Sequence, residues 1–402
     1  MSDLSLAFYK LQMNRLFSRL GFYFALVLAM WYTIEITGSV FLTGLVAFSL
    51  TISGLISSPL SGHILDRFHD IRIVVYSTLG ELISYMFMGL MIVHILPFFT
   101  LYPIMGMIYF MMTIGSMASY VFTPNIVAED KLLKANSVGE ISLTISEGVG
   151  AILGGSLLYL IGSYSLIIIS ISMLLFLALI LVIRFHRDNI FIPNVKKENS
   201  EDISGWRETF VFVKSKVLMI VIFSSVLNAL LIIMDVLGAP LINVTLHSSS
   251  MFYGFYIGTF SIGGLVGALM IGKLKPHNIW LLVFFYFAVS GFSFFIMGMV
   301  RITLIVVLLP FFIGVLASVS NIPLMTYLQR EIPERILGKA TSLMDTLRLG
   351  LAPLSAFLFS VIGSYYTVGA SFAAVGVLLI LISILIPFTS IKMIKLPIYT
   401  TP

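Results

Sequence analysis

Apolar runs of about 18 residues or more recur from one end of this chain to the other, each long enough to cross a bilayer as a helix. They are continuously apolar and lack the alternation of barrel strands, so the spanning elements are helices, whose backbone groups pair within the segment. Composition agrees. Mean hydropathy is +1.08, and of 402 residues 59% are hydrophobic and 10% charged, too little charge to cover a soluble protein of this length. The first run, near 17–36, is too long for a signal-peptide core and precedes no small-residue cleavage site, so it is a retained helix. The absence of cysteine excludes disulfides and thiolate metal sites.

The runs predict about twelve helices, near 17–37, 42–62, 73–93, 97–120, 138–161, 165–184, 217–238, 251–272, 279–299, 303–322, 340–363 and 367–388. Lys10, Arg15 and Arg19 cluster before and at the start of the first of them. Almost all the other Lys and Arg fall in alternate connections, with Arg301 on the opposite side and Arg348 inside a helix. Cations mark the cytoplasmic side, so the chain is expected in a cell membrane with both termini cytoplasmic, and the cysteine-free, Ile-rich composition suits a bacterium.

The connection 185–216 is the only long one. It divides the chain into six-helix bundles at 1–184 and 217–402. Within it, "SGWRETFVFVKSK" puts Trp206, Phe210, Val213 and Val217 on one helical face, which fits either a helix lying in the interface or an extension of the next span. The halves echo each other. "KANSVGE" at 134–140 answers "KATSLMD" at 339–345, and "IGSY" occurs at 161–164 and again at 362–365. Duplicated halves of this kind characterise secondary transporters.

Two motifs carry a family resemblance. "GHILDRFHDIR" at 62–72 holds Gly62, Asp66, Arg67 and Arg72 in the pattern G-x-x-x-D-R-x-x-x-x-R after the second helix. "GAILGG" holds Gly150, Gly154 and Gly155 on the fifth, with Ser137 and Ser146 upstream. In both, the chain resembles the major facilitator superfamily. It departs from the usual pattern at His69 and Asp70, and at Ala151, where exporters of the superfamily carry proline. "SPLSGHILDR", "AEDKLLKANS" and "LQREIPERILGKATS" look most like its macrolide-efflux-type, proton-linked drug exporters. The resemblance implies that the 62–72 loop is a cytoplasmic gating latch and that the glycines pack helices closely. Read without it, the loop is a polar turn with topogenic charge, and the glycines are general membrane packing.

Ionisable groups within the spans mark candidate cavity positions, because a charge facing hydrocarbon costs several kcal/mol. Glu147 has the deepest predicted position and no nearby sequence partner, which makes it the first candidate for proton coupling. Asp235 and Glu35 lie toward the outer ends of the seventh and first helices, where they line a cavity or reach the interface. Asn228 lies two turns deeper than Asp235. Asp345 and Arg348, three residues apart, share a helical face and can pair. Glu81 falls in the cytoplasmic third of the third helix. His63 and His69 read as loop residues rather than metal ligands. No phosphate loop, zinc motif or nucleophilic triad is present, so neither an enzyme nor a cofactor is expected.

The sequence therefore predicts an all-α polytopic membrane protein of two pseudo-symmetric six-helix bundles. It would act as a monomer, binding no nucleic acid, and export amphipathic small molecules against protons. Export of an anionic secreted metabolite such as a siderophore, a lysolipid flippase, and a non-transporting sensor or assembly subunit are the alternatives.

Overall fold

The computed structural model describes residues 5–68, 72–128, 131–165, 168, 172, 176, 179, 211, 218–274, 279–332, 343–344 and 346–390. Among these residues it is helical throughout, and eleven helices are long and apolar enough to cross a membrane. In chain order they are α1 (Leu6–Thr37), α2 (Val40–Phe68), α3 (Arg72–Ile92), α4 (Leu101–Ile126) and α5 (Leu132–Ile161). After the long connection come α6 (Leu218–Leu231), α7 (Ile233–Pro240), α8 (Ser250–Leu274), α9 (Ile279–Met299), α10 (Thr303–Glu331), α11 (Ala352–Tyr365) and α12 (Val368–Ser390). Helices α6 and α7 are two parts of one span, Val221–Thr245, and α11 completes a span that begins at Thr346. Most of the expected helix 165–184, and the linker 185–216 with Trp206 and Phe210, lie outside the described residues.

The first helix starts eleven residues earlier than its apolar run. Ser5 caps it, accepting a hydrogen bond from the Phe8 N–H at 3.2 Å and donating to the Ile126 carbonyl at 2.8 Å, which ties the start of α1 to the end of α4. Lys10, Arg15 and Arg19 thus sit on the helix, not before it. At the other end of α1, Gly38 takes φ +62° and donates its N–H to the Ile34 carbonyl, a left-handed cap that a side chain would strain.

The seventh predicted span is interrupted rather than continuous. The helix breaks at Ile232, restarts as α7 with Asp235 in its first turn, and widens after Pro240 into a π turn over Leu241–Thr245. Proline supplies no N–H, so bonding slips to the wider register, seen in the Leu246 N–H bonding the Leu241 carbonyl at 3.0 Å.

Packing divides the helices into two sets. Helix α1 lies against α4 and α5, and α2 and α3 against α4; in the second set α8 lies on α10, and α9 on α10 and α12. The sets meet through α5 on α8 and through α2 on α7 and α11. Their closest approaches lie toward the end that carries the short turns at 38–39, 162–163 and 246–249. There Ser250 donates to the Gly155 carbonyl at 3.1 Å, and a Cβ on Gly254 would stand 2.5 Å from the Ala151 carbonyl oxygen. On the other pair, Phe41 and Phe48 of α2 meet Phe357 of α11. Small residues let backbones touch where lipid offers no hydrophobic drive for association.

The outside of the bundle is apolar. Ile83, Met86 and Phe87 on α3, and Leu304, Leu308 and Phe312 on α10, are exposed at helical spacing, the inverse of a water-soluble surface. Many hydroxyls within the spans bond back to their own helix, as Thr33 does to the Ala29 carbonyl at 2.7 Å and Ser119 to that of Gly115 at 2.8 Å, which meets those donors without water.

Candidate functional site: a cavity between the helix sets

A cavity of about 640 Å³ lies between the two sets of helices. Four of the residues predicted from sequence line it together: Glu147 from α5, Asn228 from α6, Asp235 from α7 and Arg348. Much of the rest of its wall is aromatic or apolar. Tyr23, Tyr109, Tyr253, Tyr256 and Tyr286 contribute rings, with Phe22, Leu26, Met30 and Phe260 between them.

Glu147 has a partner that sequence separation hid. The Arg19 guanidinium on α1 donates to its Oε1 twice, from Nη2 at 2.6 Å and from Nε at 3.0 Å. A glycine one turn along α5 makes this reach possible: a Cβ on Gly150 would stand 2.6 Å from the Leu20 carbonyl oxygen. Gly154 repeats the approach one turn further, where a Cβ would stand 3.1 Å from the Phe24 carbonyl oxygen, and Gly155 turns to α8 instead. The pair is partly open to the cavity, with Arg19 27% and Glu147 20% exposed.

Asp235 is placed differently. It is exposed to the cavity, and among the described residues it has neither an ion pair nor a side-chain hydrogen bond. Gly238, one turn on, admits the Tyr256 ring, since a Cβ there would meet Tyr256 Cε1 at 2.8 Å. Trp31, Tyr253 and Tyr256 then stack in sequence at 6.3 and 6.4 Å, roofing the cavity across the two sets. The Tyr256 Oη is buried and finds no partner among the described residues.

Glu35 is not brought to this cavity. It is exposed at the short-turn end of α1, where the Tyr164 hydroxyl donates to its Oε2. Glu81 is also elsewhere, buried between α1 and α3 with both carboxyl oxygens on the Ser18 hydroxyl at 2.7 and 2.8 Å; Asn14 donates to Thr78 one turn away at 3.0 Å. Asp345 lies outside the described residues, as do the side chains of Asp66 and Arg67; Gly62 sits on α2 and Arg72 opens α3 with its side chain exposed. Sequence reasoning missed Arg19, counted there as a topogenic cation, along with the tyrosines and Asn321. The spacing of Gln12, Arg15 and Arg19 along one face of α1 was the available clue.

Comparison with known proteins agrees with this geometry. The profile of the Major Facilitator Superfamily matches residues 13–352. An uncharacterized MFS-type transporter of Bacillus subtilis (strain 168), YfmI, is 24% identical over 276 residues, 67% of each chain. In fold, the chain is similar to the crystal structure of the nucleoside transporter NupG (TM-score 0.71, 15% identity, covering 96% of this chain and 99% of that one). It is similarly close to that of a peptide transporter, POT (TM-score 0.72, 13% identity, 98% and 96%). The chain belongs to the Major Facilitator Superfamily and is a multi-pass membrane transporter.

Proposed function

We propose that this transporter exports amphipathic small molecules in exchange for protons by alternating access around the central cavity. The observation that carries this reading is the cavity itself: an aromatic chamber shared by both helix sets, holding one carboxylate without a cation among the described residues and one already paired. Aromatic and methionine walls accept varied apolar shapes, and a carboxylate facing water in such a wall exchanges protons with it.

Glu147 is committed to Arg19 and braces α1 against α5. Asp235 is the group that takes the proton from outside and yields it inside. With the termini cytoplasmic, as the cation distribution predicts, the close approaches at Gly155–Gly254 and Phe48–Phe357 seal the outer side, and the chamber serves the cytoplasm. In the opposite state, the motif of Gly62, Asp66, Arg67 and Arg72 at the connection between α2 and α3 closes the inner face. The protein works as a monomer in the cell membrane.

Inverted vesicles with an acidified interior test this reading. The interior corresponds to the outside of the cell, so rhodamine B added to the medium should accumulate inside only while the proton gradient stands, and a protonophore should release it. Equal dye levels with and without the protein would assign the chain to a non-transporting role.

A further inference from the structure

The bundle carries another hollow, on its flank rather than at its centre. A groove of about 490 Å³ runs between α2 and α4, walled by Phe48 and Ile52 on one side and by Tyr102, Gly106, Met107 and Phe110 on the other. That is the volume of a ligand site rather than of a packing gap. Gly106 lets the helices touch at its floor, since a Cβ there would stand 2.7 Å from the Ser53 Oγ. Pro103 and Met107 on its wall are exposed, so it faces what surrounds the bundle. Tyr102 stands at the short-turn end of α4, and Phe110 lies roughly 12 Å further along at the helical rise. The groove thus occupies one leaflet of a hydrocarbon core about 30 Å thick, where acyl chains cover it.

At the short-turn end a row of rings leads from the groove to a carboxylate. Tyr102 meets Phe98 edge-on at 6.0 Å, Phe98 stacks on Tyr32 at 6.3 Å, and Tyr32 meets Tyr164 at 5.0 Å. Tyr164 donates to Glu35 Oε2, and Oε1 accepts from no described residue. Glu35 is exposed, and its own helix set holds no cation for it. Residues 20–66, 73–130 and 135–183 contain neither Lys nor Arg, and the described cations of that set lie at the opposite ends of their helices. In the second set, Arg301 is held at the Gly298 carbonyl and beside Gly369, on α9 and α12.

We propose that groove and carboxylate form one binding site for an ethanolamine phospholipid, with an acyl chain between α2 and α4 and the ammonium at Glu35. Both the carboxylate and the ring faces attract an ammonium. The free Oε1 selects among headgroups, because ethanolamine has N–H donors to give it and the methyls of choline have none. Phe48 also packs on Phe357 of α11, so the bound chain lies against the seam that joins the two helix sets at this end. The site is separate from the central chamber and from proton exchange there.

Photolabelling of the full chain in phosphatidylglycerol vesicles tests the site. The probe is a trace of phosphatidylethanolamine with a diazirine midway along one acyl chain. After illumination, peptide mass spectrometry should find most adducts on 45–53 and 102–110. Exchanging part of the matrix for unlabelled ethanolamine lipid should remove them about fivefold more effectively than the same share of choline lipid, the scale of one partly exposed charge-assisted contact. Glu35→Gln should erase that difference and leave the adducts in place. Met107→Trp, which fills the groove from an exposed position, should remove these adducts and spare those elsewhere. Adducts spread evenly around the bundle would mean surrounding lipid only and overturn the site. Equal displacement by the two lipids, or a preference that survives Glu35→Gln, would overturn the assignment of the headgroup to Glu35. A groove free of adducts in a chain that crosslinks as a dimer would give this face to a second copy and overturn the proposal.

Discussion

Asp235→Asn should abolish the dependence of transport on a proton gradient. The carboxamide keeps the shape of the side chain and loses the ability to carry a proton. Wild-type vesicles should accumulate rhodamine B faster as the imposed pH difference grows. The variant should move dye only down its own gradient, with a rate flat across the same pH series. The reason lies in how the two cavity carboxylates are held: Glu147 has a guanidinium at 2.6 Å, whereas Asp235 has no cation among the described residues and faces the chamber. Glu35→Gln is the matched control. That carboxyl lies at the short-turn end on Tyr164, away from the chamber, and its removal should leave the pH response intact. Wild-type coupling in Asp235→Asn would transfer the proton to another group, and loss of coupling in Glu35→Gln would place the proton path through the outer turn.

Glu147→Gln should instead be mainly a stability lesion. It strands the Arg19 guanidinium between α1 and α5, and removing one partner of a buried pair costs ~3–5 kcal/mol. With Arg19 27% exposed to the chamber, the lower end of that range applies. Arg19→Met should cost a similar amount, and the two changes together much less than their sum, because the double variant leaves no lone charge. Equilibrium unfolding of the detergent-solubilised protein measures all three. Additive losses would mean that the pair contributes nothing as a pair. Transport by the double variant should keep its pH response, which separates the strut at Glu147 from the proton site at Asp235.

The fold was largely legible because the bilayer imposes a length and a composition on every span. Eleven of the expected helices are present among the described residues, most of them near their predicted places. The errors share one cause, which is that hydropathy sees depth but not neighbours. Helix α1 seemed to begin at Phe17 because Gln12, Asn14, Arg15, Ser18 and Arg19 read as polar margin. In the folded chain Asn14 and Ser18, four apart, face Thr78 and Glu81 of α3, while Arg19 faces Glu147 on α5. A contact spanning 128 residues leaves no local trace. The break before Asp235 was hidden inside an unbroken apolar run, although Pro240 was a visible sign that regular bonding would fail nearby. The tyrosines of the chamber could not be told from lipid-facing or packing aromatics without knowing which helix faces point inward. Glu35 and Asp235, both toward the outer ends of their spans, were left open between cavity and interface, because a helix position says nothing of what packs beside it.

The central claim is a single chamber exposed to one side of the membrane at a time, and thiol accessibility measures it most directly. The chain has no cysteine, so Ser318→Cys, on the chamber wall, provides its only thiol. With the outer side sealed, a membrane-impermeant maleimide should label it from the cytoplasmic face in inverted vesicles and scarcely at all in intact cells. Adding Gly155→Leu, whose side chain has no room against Ser250 and Gly254, should force α5 from α8 and raise labelling in intact cells severalfold. Equal labelling from both sides, or a pattern indifferent to Gly155→Leu, would contradict alternating access through this chamber.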